Sequence, residues 1–167
     1  MSRSEVIRIL KGNLARIDAT VAKMSMHEHR FFVKCVDALE RTSDDPVWRM
    51  RASMYANECA EIRRMLRIIL ASRYALEHVI SVLESEHSGR AVWESSEILA
   101  ALRKRLSMII PEVSYLLGVA RDKLLQGEIP VQGDAGRVDG ILAEADGYAD
   151  ERMKDKPDLP SVRGERG

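Results

Sequence analysis

An apolar seam repeating over about four and a half heptads constrains this chain more than any other feature. Ile7, Leu10, Leu14, Ile17, Val21, Met24, Phe31, Cys35 and Ala38 follow alternating steps of three and four, with Glu28 as the one break. Residues three and four apart share one helix face, so the spacing predicts a single long helix over residues 3–41. At about 1.5 Å per residue it would be roughly 58 Å long, with Ser2 or Ser4 able to cap its start. A stripe of that length leaves apolar side chains in water unless another helix covers it. The rest of the chain must supply the cover.

Thr42-Ser43-Asp44-Asp45-Pro46 stops the first helix. Asp45 suits a cap and Pro46 a first helical position, so a second helix is expected over about 46–87. Its seam, Ile62, Met65, Ile69, Ser72, Leu76, Val79 and Leu83, again steps by four and three. Two such seams joined by a short polar turn predict an antiparallel hairpin over 3–87. After His87-Ser88-Gly89, a third helical stretch covers about 91–126, with Leu99, Leu102, Leu106, Ile109, Val113, Leu116 and Ala120 on one face. Pro111 lies inside it and must kink it or break it into 91–109 and 111–126. Residues 127–136 read as a flexible linker. A short helix over 137–154 places Val138, Ile141, Leu142, Ala145 and Ala149 together, and residues 155–167 read as a disordered tail. With 5% aromatic and 31% charged residues, mostly strong helix formers, the composition suits long amphipathic helices. The expected fold is therefore all-α: a long hairpin, two further packed helices and a short C-terminal helix.

Charge is balanced overall but unevenly placed. Residues 1–126 carry a net +4 and residues 127–167 a net −4, so an acidic tail helix could fold back on a basic body. Arg3, Arg8, Lys11, Arg16 and Lys23 give residues 1–25 a net +3. On residues alone this is either a solvated face or one drawn to anionic lipid. Arg63, Arg64, Arg67 and Arg73 cluster on the second helix beside Glu58, Glu61 and Glu77. They fit intrahelical pairing and a contact to a neighbouring subunit equally well.

Enzymatic and metal chemistry find little foothold. Glu84 and His87 form one Glu-x-x-His, half of what a di-iron bundle requires, at a helix end. His27 and His29 are two apart on a helix and point in different directions. There is no phosphate loop, dinucleotide fingerprint, nucleophile elbow or zinc spacing. Neither an enzyme nor a cofactor is expected, and basic residues interleaved with acids argue against nucleic acid. Cys35 and Cys59 read as small buried thiols. With no leader-like start and no apolar run of about 18 residues, a cytoplasmic protein with at most peripheral membrane contact is expected.

The second helix also carries a resemblance. Ser53-Met54-Tyr55-Ala56-Asn57-Glu58-Cys59-Ala60-Glu61-Ile62-Arg63-Arg64-Met65, followed by Leu70-Ala71-Ser72-Arg73, resembles the second-helix signature of ESCRT-III proteins, most closely the archaeal CdvB branch. The similarity continues through Ile109-Ile110-Pro111-Glu112-Val113 and the acidic helix near 137–154, covering roughly residues 5–162. It implies a subunit that polymerises with itself and with sibling paralogues on an anionic membrane, during cell division or vesicle scission. Arg3, Arg8, Lys11, Arg16 and Lys23 then become the membrane-binding set, on the inner face of the cell membrane. The spacing Pro157-x-Leu159-Pro160-x-Val162 resembles the proline-rich MIT-interacting motif that recruits the AAA ATPase CdvC, although Lys156 stands where an apolar residue is often found. Without the resemblance, those residues read only as a proline-containing tail. The fullest CdvB proteins end in a winged-helix-like segment that docks CdvA. No such segment follows here, so the resemblance does not carry CdvA recruitment over to this chain. The alternative expectation is a soluble helical-bundle adaptor that forms discrete oligomers away from lipid.

Overall fold

A computed structural model describes residues 3–43 and 45–162. Within them the protein is all-α, with five helices: α1 Arg3–Glu40, α2 Val47–Ser85, α3 Gly89–Leu106, α4 Pro111–Gly127 and α5 Ala135–Met153. Ser2, one of the expected caps, lies outside the described residues.

α1 and α2 form the antiparallel hairpin. Lys11 meets Glu84, Asp18 meets Arg73, and Glu28 meets Arg63, so the register advances steadily from base to tip. The turn is held by Val47 N donating to Asp45 Oδ1 at 3.0 Å, and Pro46 flanks α2 with its restricted φ. At the tip, Cys35, Ala38 and Ala52 are fully buried and small enough for the helices to approach closely. Trp48 packs against them, with the guanidinium groups of Arg41 and Arg51 both against its ring.

The base half of the hairpin is thicker. α3 packs on α2, and α4 returns along both α3 and α1. The resulting core includes Leu10 and Ile17 from α1, Ile69, Leu76 and Leu83 from α2, Leu99 and Leu102 from α3, and Leu117 and Leu124 from α4. α2 buries a far broader face than its seven-residue seam, adding Leu66, Leu70, Ala71, Ala75 and Ile80, because it touches α1, α3 and α5.

The chain breaks at Pro111. Ile109 N and Ile110 N both donate to Leu106 O, at 3.1 and 2.8 Å, and Pro111 then opens α4, where its missing N–H costs nothing. Ser88 caps α3 by accepting from Ala91 N at 3.1 Å.

Two segments differ from expectation. The stretch after α4, read as a flexible linker, is tied at two points. Arg3 holds the Glu128 carboxylate, and Val131 N donates to Gly89 O at 2.9 Å. Gly89 is needed there, because an added Cβ would stand 2.6 Å from Val131 Cγ2. The tail, read as disordered over 155–167, follows a defined course along the hairpin as far as Val162, which packs against the tip cluster. The remaining residues, 163–167, lie outside the described part. Composition registers proline, glycine and charge, but not the partners waiting on the hairpin.

Candidate assembly and membrane interface

The buried positions of α1, among them Val6, Leu10, Asn13 and Ile17, define its inner side, and the basic residues sort accordingly. Arg8 stands exposed on the outer side. Lys11 leans toward α2, where Glu84 lies 3.3 Å away, and Arg16 toward α4, where Glu112 lies 3.4 Å away. Lys23 is also exposed; Arg8 and Lys23 form no ion pair among the described residues. Exposed pairs such as those of Lys11 and Arg16 contribute about 0–1 kcal/mol, so anionic headgroups compete with them readily. Arg3 does not join this face. Its side chain is only 11% exposed, pairs with Glu128 and donates to Leu83 O at 3.1 Å. It is a clasp between the base of the hairpin and the segment leading to α5.

Arg63, Arg64, Arg67 and Arg73 of α2 each have a partner within the molecule. Arg63 reaches Glu28 on α1, with Nε 2.7 Å from Oε1, and lies over the Phe32 ring. Arg73 bridges Asp18 on α1 and Glu77 on its own helix. Arg64 pairs with Glu61, one turn away. Arg67 is taken by Asp150 of α5 at 2.5 Å, and the neighbouring Arg105 of α3 by Asp146 at 3.1 Å. Asp146 and Asp150 are one helical turn apart on α5, so one acidic edge spans the α2–α3 groove. Beneath it Val138, Ile141, Ala145 and Ala149 are buried. Tyr148 packs on Tyr74, with ring centroids 5.0 Å apart.

Beyond α5 the chain reaches a carboxylate inside the hairpin. Glu28 is 5% exposed. Oε1 accepts from Arg63, and Oε2 lies 3.3 Å from Lys156 Nζ. Burial pushes the Glu28 pKa up, but the Arg63 hydrogen bond and the Lys156 charge outweigh it and hold the group below its ordinary value. Cys59 Sγ lies 3.5 Å from the same Oε1. Burial foremost, and then the carboxylate charge, push the thiol up to about 11. Cys35 is raised by burial. Both thiols therefore stay protonated and sheltered near neutral pH. Ellman's reagent at pH 7.5 should find no rapidly reacting thiol in the folded chain and two after denaturation. Fast reaction of either in the native protein would contradict the closed hairpin.

The tail residues follow from there. Pro157 is exposed and lines a groove together with Ser25, His29 and Phe32, Leu159 and Pro160 are half-buried, and Val162 ends on the tip cluster. Among the described residues, no three His, Cys, Asp or Glu side chains gather to hold a metal ion, and no helix is long and apolar enough to cross a membrane. Sequence reasoning missed the grouping of Glu28 with Lys156 and of Asp146 and Asp150 with the arginines. The signals were present: Glu28 as a charge in an apolar seam, and Asp146 and Asp150 at helical spacing.

Comparison with known proteins yields no matching family model and no matching solved structure. It does find the curated Cell division protein B1 of Sulfolobus acidocaldarius, 30% identical over 92% of this chain and 76% of that protein. Similarity of that extent, across the whole helical framework rather than one coiled stretch, means that the chain belongs to the CdvB family.

Proposed function

We propose that this chain is a filament-forming, membrane-remodelling subunit that acts in archaeal cell division. The family, and the printed name of its relative, support the division role. The observation that carries the mechanism is α5: an acidic helix seated on α2 and α3 by Asp146, Asp150 and a buried apolar stripe. This is a closed form. Opening moves α5 and the segment 128–134 away and bares that stripe. A neighbouring subunit buries it again. Head-to-tail repetition of such a contact gives an open helical polymer rather than a closed dimer.

The hairpin is the stiff arm of the filament. Arg8 and Lys23 are exposed along the hairpin, Lys11 and Arg16 stand at its edges in exposed pairs, and together they meet anionic lipid at the cytoplasmic face of the division site. Arg63, Arg64, Arg67 and Arg73 become available to sibling subunits once their internal partners are exchanged. Residues 157–162 serve as the segment that an AAA ATPase takes through its MIT domain. ATP hydrolysis belongs to that partner, which disassembles the polymer.

Each basic residue near an anionic surface contributes about 1 kcal/mol, so four together contribute about 4 kcal/mol, roughly a thousandfold in affinity. The polymer multiplies this further by avidity. Replacing Arg8, Lys11, Arg16 and Lys23 with Gln should abolish co-sedimentation with phosphatidylserine liposomes at physiological salt while leaving helicity intact. Electron microscopy of the wild-type chain on the same liposomes should show filaments or tubes. Unchanged pelleting of the variant would assign binding to another face. Discrete oligomers and bare liposomes with the wild type would support a soluble adaptor instead.

A further inference from the structure

Two irregularities of the sequence meet at one point in space. Glu28 is the only charged residue in the first apolar seam, and Lys156 is the charged residue at the head of the proline-containing segment. Their side chains pair, Nζ to Oε2, in a place where Glu28 is almost fully buried and Lys156 is one-quarter exposed. Among the described residues Oε2 has no other partner, whereas Oε1 is held by Arg63 of the hairpin itself.

We propose that the hairpin contains a receptor site for the chain's own tail, in which Glu28 receives the Lys156 ammonium, so that residues 157–162 become available to a partner only when Lys156 leaves. The inference rests on reading that segment as partner-binding, but the site itself does not depend on it.

The geometry supports a built site rather than a surface contact. The carboxylate is preset: Arg63 fixes one oxygen and leaves the other aimed at the tail. Phe32 lies under the Arg63 guanidinium and also lines, together with Glu28, Lys156 and Pro157, the groove between the hairpin and the tail, so one side chain borders both halves of the site. Lys156 N also donates to Met153 O at 3.3 Å, which turns the chain sharply from the end of α5 toward Glu28. Proline after Lys156 disfavours continued helix there, so the chain leaves α5 at this bend and the ammonium turns toward Glu28. Val162 then anchors the far end on the tip cluster. Leu159 and Pro160 lie between these two anchors and are half-buried. A partner groove that takes the same side chains cannot reach them while both anchors hold. Charge pairs between a buried carboxylate and an ammonium are strengthened by the low local dielectric, so losing one partner matters far more here than at the surface.

The test uses the full chain and limited digestion with proteinase K, read by mass spectrometry for cuts within 158–162. Lys156→Glu opposes Glu28 with a like charge and should raise that cutting rate about tenfold or more, because cleavage follows the population of the released tail. Lys156→Arg keeps the charge and should stay near the wild-type rate. Lys156→Gln should fall between them, and it keeps the test readable if the charge reversal loosens the hairpin. Ellman's reagent serves as the control: Cys59 must remain unreactive in the variants compared. Glu28→Gln should release the tail as Lys156→Gln does. Wild-type cutting rates in both Lys156→Glu and Lys156→Gln would overturn the proposal, as would release by Glu28→Gln without release by Lys156→Glu. Wild-type chain that fails to pellet with liposomes would sink the membrane reading and leave this result standing.

Discussion

Deleting residues 127–167 should lower the concentration at which the chain polymerises by about tenfold or more. The deletion removes α5, whose buried Val138, Ile141, Ala145 and Ala149 cover α2 and α3. It also removes the ties that bring α5 there, Arg3 to Glu128 and Val131 to Gly89. The ion pairs of Asp146 and Asp150 are half-exposed, at about 0–1 kcal/mol each, and cannot hold the helix alone. The apolar stripe decides the balance, at about 25 cal/mol for each Å² taken from water. Once bared, it forms a patch of the kind that soluble monomers rarely leave uncovered. A second subunit is its natural cover. Sedimentation velocity across a concentration series reads the outcome. Truncated protein that remains monomeric wherever the full chain does would remove α5 from any inhibitory role. Asp146→Lys together with Asp150→Lys should produce the same shift in weaker form, since the stripe stays in place.

The helical framework was legible because its signal is periodic. Steps of three and four along α1 and α2, a short polar turn, and Pro111 between two seams are enough to place a hairpin and its return helices. The same reasoning marked Leu116 and passed over Leu117, which is the fully buried one. It also passed over Val6 and Asn13, because α4 docks on α1 from the side and widens the buried face beyond a two-helix seam. What periodicity cannot register is pairing at long separation. Lys156 lies 128 residues from Glu28, and Arg3 lies 125 from Glu128. Each looked like an ordinary charge, or a departure from a motif, until the fold brought its partner alongside. The assembly and membrane residues fall between these cases. Their charge was visible, but which of them faced outward was not: Arg8 and Arg3 are equally basic on paper, and only one is free to meet lipid.

Leu76→Ala should destabilise the chain by about 2–5 kcal/mol, the range for truncating a large side chain in a packed core. Leu76 is 0% exposed and sits on α2, the one helix that packs against α1, α3 and α5 together. Its loss therefore weakens three interfaces that meet along one line. In a chain of this size each kcal/mol moves the melting temperature by roughly 2–4 °C, so the expected fall is about 4–20 °C. Met54→Ala, on the same helix but 60% exposed, should stay within about 0.5 kcal/mol of wild type. Circular dichroism melts of the two variants make the comparison. Equal melting temperatures would mean that α2 is not the spine of the folded chain. The functional consequence runs through stiffness. A hairpin that frays at its base cannot pass a bend from one subunit to the next, so Leu76→Ala should also lose ordered tubes on liposomes at temperatures where Met54→Ala keeps them, even though Leu76 is wholly buried.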